Sequence, residues 1–371
     1  MDDTNPPPAR QFGVEDSLEK IFGIFDLYYE KGWTDGLPIC PPTEAAVNAM
    51  LRYTDRGRDE VVAVVPPRNG AATVEKIAIN AVMAGCRPEY LPVLIAAVEA
   101  MVQPEYNLYG RQTTTHPGAH LLIVNGPLRH ELDVNCKHNV FGHGWRANAT
   151  MGRALRLILI NIAGNRPGVT DMATHGHPGK YSFCMGEDEE GSPWRPLHVE
   201  RGLAPGTSAV TVYCAEAPHN INDQVSKTPE MYLGSAASTM ATLGGNGLYR
   251  SALRGEQGLV ISAESARWLA DFGWSKGDVK QFIFENARKP VRELRDRGAW
   301  GKSPLPSYID PNDDAAMVPI VKGPDNIVVL VAGGHQRHMN ALLTAGYSMS
   351  VTRPIALKDG TPIKSTRDFL R

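Results

Sequence analysis

Apolar positions recur along this chain in short bursts separated by turns rich in glycine and proline, and the spacing of each burst predicts its element. Leu18, Ile21, Phe22, Phe25 and Tyr28 share one helical face, and Gly32 with Asp35-Gly36 marks its stop. Thr43 predicts a cap for a helix over residues 44–51. The run Val61 to Val65 reads as a buried strand ended by Pro66-Pro67. Thr73, with Glu75 in the first turn, opens a helix that carries Val74, Ile77, Ala78 and Ala81 and stops at Gly85. Residues 91–101 are apolar almost all round, which predicts a core helix. A strand over 121–124 is followed by a long helix from Asn148, with Met151, Leu155, Ile158, Leu159 and Ile162 on one side and Arg153 and Arg156 on the other. Further strands are expected at 210–213, 259–261 and 327–331, the last running through Gly333-Gly334 into a helix. Thr228-Pro229-Glu230 opens a helix to about Leu243, and Ser262 and Ser275 cap two more.

Strands of this length alternating with helices predict an α/β fold, its sheets mixed or mostly parallel and covered by helices, with long ordered loops. Pro-rich residues 1–12 read as a disordered arm, because they offer too little apolar surface to offset ordering entropy. The main α/β domain is expected over 13–300, open to division into subdomains 13–166 and 167–300. Residues 301–371 follow as a C-terminal βα segment packing on it. Residues 167–201 keep no period, and a loop that long in a compact protein is either functional or disordered. Tyr181, Phe183, Trp194 and Leu197 favour the ordered, functional alternative.

Composition narrows the function. The 371 residues hold Lys+Arg 38 against Asp+Glu 40, a net charge of −2, so no basic stripe for nucleic acid or anionic lipid is present. No run of about 18 apolar residues exists to span a membrane, and the N-terminus reads as carrying no secretory signal, so a cytoplasmic protein is expected. The five cysteines are odd in number and include no CxxC pair, which gives neither a disulfide framework nor a structural zinc site. Gly 36 and Pro 28 exceed the average usage of about 7% and 5%, so loops should be abundant.

Candidate chemistry concentrates in the loop-rich middle. Of 11 histidines, nine lie between His116 and His219. His116, His198 and His219, with Lys180, are candidate general acid/base groups, since a placed imidazole serves either role near neutral pH. His175-Gly176-His177 on an extended segment, or His335 and His338 on a helix, could each offer two ligands to a divalent metal, but no HExxH accompanies them and no cofactor is otherwise predicted. Cys40 and Cys214 read as small core residues, whereas Cys86 lies beside Arg87, whose charge could lower a thiol pKa. Cys184, inside the long loop, is a candidate nucleophile. Arg68 and Asn69, between a strand and a helix, with Arg146, Asn148 and Tyr181, are candidate substrate-binding groups for a small anion. Neither GxGxxG nor a Walker lysine is present, so nucleotide binding has no support.

Several strings go further. Gly32-Trp33-Thr34-Asp35-Gly36-Leu37-Pro38, Pro67-Arg68-Asn69-Gly70-Ala71-Ala72-Thr73-Val74-Glu75-Lys76, Gly144-Trp145-Arg146-Ala147-Asn148-Ala149-Thr150 and Gly179-Lys180-Tyr181-Ser182-Phe183-Cys184 resemble a poorly characterised bacterial family associated with small UGSC (seleno)proteins. The UGSC proteins are in turn similar to the selenocysteine subunit of glycine-reductase-type enzymes, in which a selenolate or thiolate attacks the substrate. This chain has no Cys-Gly-Ser-Cys, so the resemblance implies that a UGSC-type redox partner brings the nucleophile to a homo- or hetero-oligomeric assembly. Three readings follow. The first is an enzyme subunit that cleaves or reduces a carbon–heteroatom bond of a small organic molecule with a thiolate- or selenolate-bearing partner. The second is a self-sufficient hydrolase or lyase, metal-assisted through its histidines. The third is a non-catalytic assembly partner.

Overall fold

The computed structural model describes residues 15–370, with side chains from Phe22 onward; the expected arm at 1–12 lies outside the described residues. The chain is α/β with mixed sheets, as the alternation of elements implies. Five helices begin where the predicted polar caps stand. Thr43, Thr73, Thr228, Ser262 and Ser275 each accept a backbone N–H of the following first turn, and Gly85 ends its helix at φ +88°, a left-handed conformation glycine adopts without strain.

Among the described residues, twelve strands form four sheets. β1 (Val61–Val65) and β2 (Gly70–Thr73) make an antiparallel hairpin, and Val61 and Val64 are half exposed on it, so the expected buried strand is an edge ribbon instead. β3 (Ala119–Asn125) lies parallel to β4 (Cys184–Gly186) and antiparallel to β5 (Ala209–Ala215), which β12 (Val351–Pro354) extends. β6 (His219–Asn222), β7 (Gln257–Ile261), β10 (Ile327–Val331) and β11 (His338–Leu342) build a second sheet on the same plan: β7 parallel to β10 and antiparallel to β11, with β6 outside β11. β8 (Arg288–Pro290) pairs with β9 (Met317–Pro319).

Alternation along the strands builds four layers. Leu122, Val124, Val210 and Val212 face helices Val74–Ala84, Leu91–Met101 and Arg146–Asn161. On the second sheet Leu259, Ile261, Ile327, Val329 and Met339 face Pro229–Met240, Ala263–Asp271 and Lys276–Asn286. Between the sheets, Leu121, Ile123, Met185 and Tyr213 pack against Val260, Val328, Leu330 and Leu342. The order is therefore helix, sheet, sheet, helix, with two similarly built halves face to face.

The halves exchange strands. β5 leaves the first sheet and continues through 216–218 as β6 on the edge of the second, while β11 returns through 343–350 as β12 on the edge of the first. This corrects the expected division. A boundary at 166/167 would separate β3 from β4 and β5, and residues 301–371 do not pack as one unit, because β10 and β11 serve one sheet and β12 the other. The expected helix after Gly333-Gly334 is also replaced by β11. Among the described residues no helix is long and apolar enough to cross a membrane.

Candidate functional site

The segment after helix Arg146–Asn161 is the ordered loop that residues 167–201 lead one to expect, and the helix fastens it. Asn165 donates its side-chain N–H to Gln112 O at 3.1 Å and accepts from Arg156 at 2.7 Å, while Arg156 Nε–H reaches Lys180 O at 2.8 Å. One guanidinium thus pins both ends of the loop. Lys180 Nζ closes it on the Asp171 carboxylate at 2.7 and 2.8 Å. The opposite wall is residues 32–36, held by Arg153 through paired bonds to Asp35, both 2.8 Å, and by Asn161 donating to Trp33 O. Between these walls lies a cleft of about 810 Å³, into which Arg156, Arg166, Asp171, His175, Lys180 and Tyr181 face. A second cleft of about 450 Å³ adjoins it across Gly176 and His177 and is lined by Glu216, His219 and Thr239 where β5 passes into β6. Gly176, at φ +65°, makes the turn between them.

The imidazoles here are not equivalent. His177 Nδ1 accepts the Gly179 N–H at 3.1 Å and its Nε2–H donates to Ala215 O at 3.2 Å; burial also pushes its pKa down, so it is a neutral turn-former. His116 Nδ1 accepts from Gly118 N–H, which places its proton on Nε2, 2.8 Å from Glu216 Oε1. His175, His219 and Arg166, by contrast, make no side-chain hydrogen bond within the described residues, so they are the groups free to meet a ligand. Burial pushes the Arg156 guanidinium pKa down, and the nearby Asp171 carboxylate opposes that shift.

Of the residues singled out from sequence, Lys180, Tyr181 and His219 line the paired clefts, and His116 stands at their edge through Glu216. The others lie elsewhere. Cys184 is buried in β4 and burial pushes its thiol far up, so it is no nucleophile in the resting fold. His198 is fully buried away from the clefts, and burial lowers its pKa. Arg68 and Asn69 sit on the exposed hairpin turn, and the Arg68 side chain lies over Gly164. Arg146 donates to Gly85 O, and buried Asn148 ties the backbones of Asn135 and Cys184 together, so both hold the scaffold. Cys86 is buried with its pKa pushed up to about 12, against the expectation from Arg87, and Cys40 is exposed rather than in the core.

Sequence reasoning did not single out Asp35, Asp171, Glu216 or Arg166 as site residues. Asp35 carried a signal, since it lies in one of the family-like strings; the others join the site only through tertiary contact. The strings themselves converge. Residues 32–38 dock on helix Arg146–Asn161 through Arg153, the hairpin glycine Gly70 abuts Ile162 O, and Gly152 of the helix abuts the backbone of Phe183. Among the described residues no three His, Cys, Asp or Glu side chains are grouped so as to hold a metal ion, and neither His175 with His177 nor His335 with His338 gains a third ligand. In comparison with known proteins, the chain matches no family model and no curated protein.

Proposed function

We propose that this chain is the substrate-binding subunit of an enzyme that cleaves or reduces a carbon–heteroatom bond in a small organic anion, with the thiolate or selenolate supplied by a partner polypeptide. One observation carries the reading. The paired clefts gather Arg166, Lys180, His175 and His219, while no cysteine lines either and four of the five cysteines are buried. Arg166 would hold the anionic group, and an unengaged imidazole, His175 or His219, would protonate the departing heteroatom as the partner's nucleophile attacks the carbon; a second thiol would then attack the partner's sulfur or selenium, leaving a disulfide or selenenyl sulfide and releasing the reduced carbon with a proton.

The test is to assay a panel of α-substituted small carboxylates, with a small dithiol as the reductant throughout, with the chain alone, with a UGSC-type partner, and with Arg166→Ala, Lys180→Met and His175→Ala variants. Turnover is expected only with both polypeptides, and His175→Ala should lower it by about 10²-fold or more. Equal turnover by the chain alone would instead favour the self-sufficient lyase, whose acid/base pair would be His116 held by Glu216. Undiminished activity in every variant would leave an assembly role.

A further inference from the structure

Arg353 is a charge in an apolar row. The register of β12 on β5, Val351 beside Val212 and Arg353 beside Val210, sets its side chain on the face of the first sheet that packs against helix Leu91–Met101, where the neighbouring positions are valines. Its Nε is buried without an acceptor, and the rest of the guanidinium makes no hydrogen bond or ion pair among the described residues. An inward charge can guard an edge strand against further pairing, but Pro354, next along, already interrupts that edge. A guanidinium drawn out of water with nothing to accept from it is a cost that edge protection does not require.

Two other cations nearby are paired. Arg56 Nη2 reaches Glu99 Oε1 at 2.5 Å, and Lys358 Nζ reaches Glu60 Oε2 at 2.7 Å. Together with Arg353 they line a cavity of about 430 Å³ between helix Leu91–Met101, the β1 hairpin and the segment after β12. Three cations therefore face one lining carboxylate, Glu99, and Arg56 already occupies it. Much of the remaining wall is apolar, with Val62, Ile95, Val102, Leu357 and Phe369 along it. An apolar cavity in which one guanidinium is left free has the make-up of a small-molecule site, where a few polar groups fix the ligand's orientation.

We propose that this cavity binds a carboxylate with an apolar tail, its headgroup accepting from the Arg353 guanidinium and its tail lying against Ile95, Leu357 and Phe369. A carboxylate matches the guanidinium fork and cancels the one unpaired charge, whereas a phosphate dianion would leave a charge of its own over an apolar wall. The site is separate from the paired clefts, and the inference does not depend on the function proposed for them.

The experiment titrates octanoate into the full chain, following the arginine Nε–H signals by NMR and the affinity by calorimetry. Saturable binding that shifts the Arg353 signal is expected, with octanol and acetate each bound at least about tenfold more weakly, since each lacks one half of the ligand. Arg353→Met, which keeps the stem and removes the fork, should weaken octanoate about tenfold or more, with the urea midpoint of the free protein no lower. Arg166→Ala, in the larger cleft, should leave this binding unchanged. Val62→Trp, which fills the cavity from the hairpin, should abolish it while circular dichroism stays native. Octanoate bound equally by Arg353→Met, or lost in Arg166→Ala, would overturn the proposal. So would octanol bound as tightly as octanoate, or an Arg353 signal that does not move at millimolar octanoate.

Discussion

A thiol's environment outweighs its neighbours in sequence. Cys86 follows Gly85 and precedes Arg87, which reads as an electropositive site, yet Arg87 turns toward Glu89 at 3.9 Å and burial dominates the thiol. Its folded pKa of about 12 lies above the usual 9.0, so the folded state holds the proton more tightly than the unfolded chain does. That contribution to stability is whole below the usual value and is lost as pH rises toward 12. Denaturation by urea, measured below and above the usual thiol pKa, should show stability falling on the alkaline side, and Cys86→Ala should flatten that fall. Alkylation gives a second readout. Exposed Cys40 should take up iodoacetamide in the native protein, with Cys86, Cys136, Cys184 and Cys214 reacting only after unfolding. Uptake at Cys184 in the native fold would return it to the list of nucleophiles. The chemical types in the site were legible in this way, but their partners were not. Lys180 could be chosen from the string around it, whereas Asp171 needs the loop to fold back before the two meet.

Elements were most legible where a cap announces them, and least where two periods fit the same residues. Thr73, Thr228, Ser262 and Ser275 each begin a helix because their hydroxyls accept an otherwise unpaired N–H. His335 and His338 fit a helical face equally well on spacing alone; the sheet decides, since β11 supplies the hydrogen-bonding edge that β7 and β6 share. Close packing of helix Arg146–Asn161 yields the prediction at this scale. A Cβ on Gly152 would sit 2.5 Å from Phe183 N, and one on Gly70 would sit 1.9 Å from Ile162 O, backbone atoms that cannot rotate away. Although alanine favours a helix intrinsically, Gly152→Ala should therefore destabilise the protein, by about 1–3 kcal/mol from overpacking. Gly70→Ala should cost at least as much. Urea denaturation of the two variants checks this, and a stabilised Gly152→Ala would mean that the string 179–184 does not rest on the helix. Because the same helix carries Arg153 and Arg156, its displacement should also loosen both walls of the larger cleft.

At the scale of the molecule, the exchange of β6 and β12 makes the two halves one folding unit, which no local pattern in the sequence reveals. The strands that cross are short and unremarkable one by one, and only their pairing shows that residues 351–354 complete a sheet begun at 119. A chain ending at Ser350 would lose β12 and with it Ile355 and Ile363, both buried in the first core. Burial of two such side chains contributes about 1.5–3 kcal/mol each, and the edge of β5 would lose its partner as well. Set against a typical net stability of about 5–15 kcal/mol, the two side chains and the unpaired edge together remove a large share of what keeps the first half folded, and the crossing β5–β6 should carry the loss into the second half. The truncated chain is expected to lose native circular dichroism and hydrogen-exchange protection in β3, β5 and β7 together. A peptide of residues 351–370 added in trans should restore them, because it supplies the strand that pairs with β5 and binds only the folded form. Protection that persists in β7 while β3 and β5 exchange would show instead that the halves fold independently. The smaller cleft would then sit at a hinge between them, where β5 passes into β6.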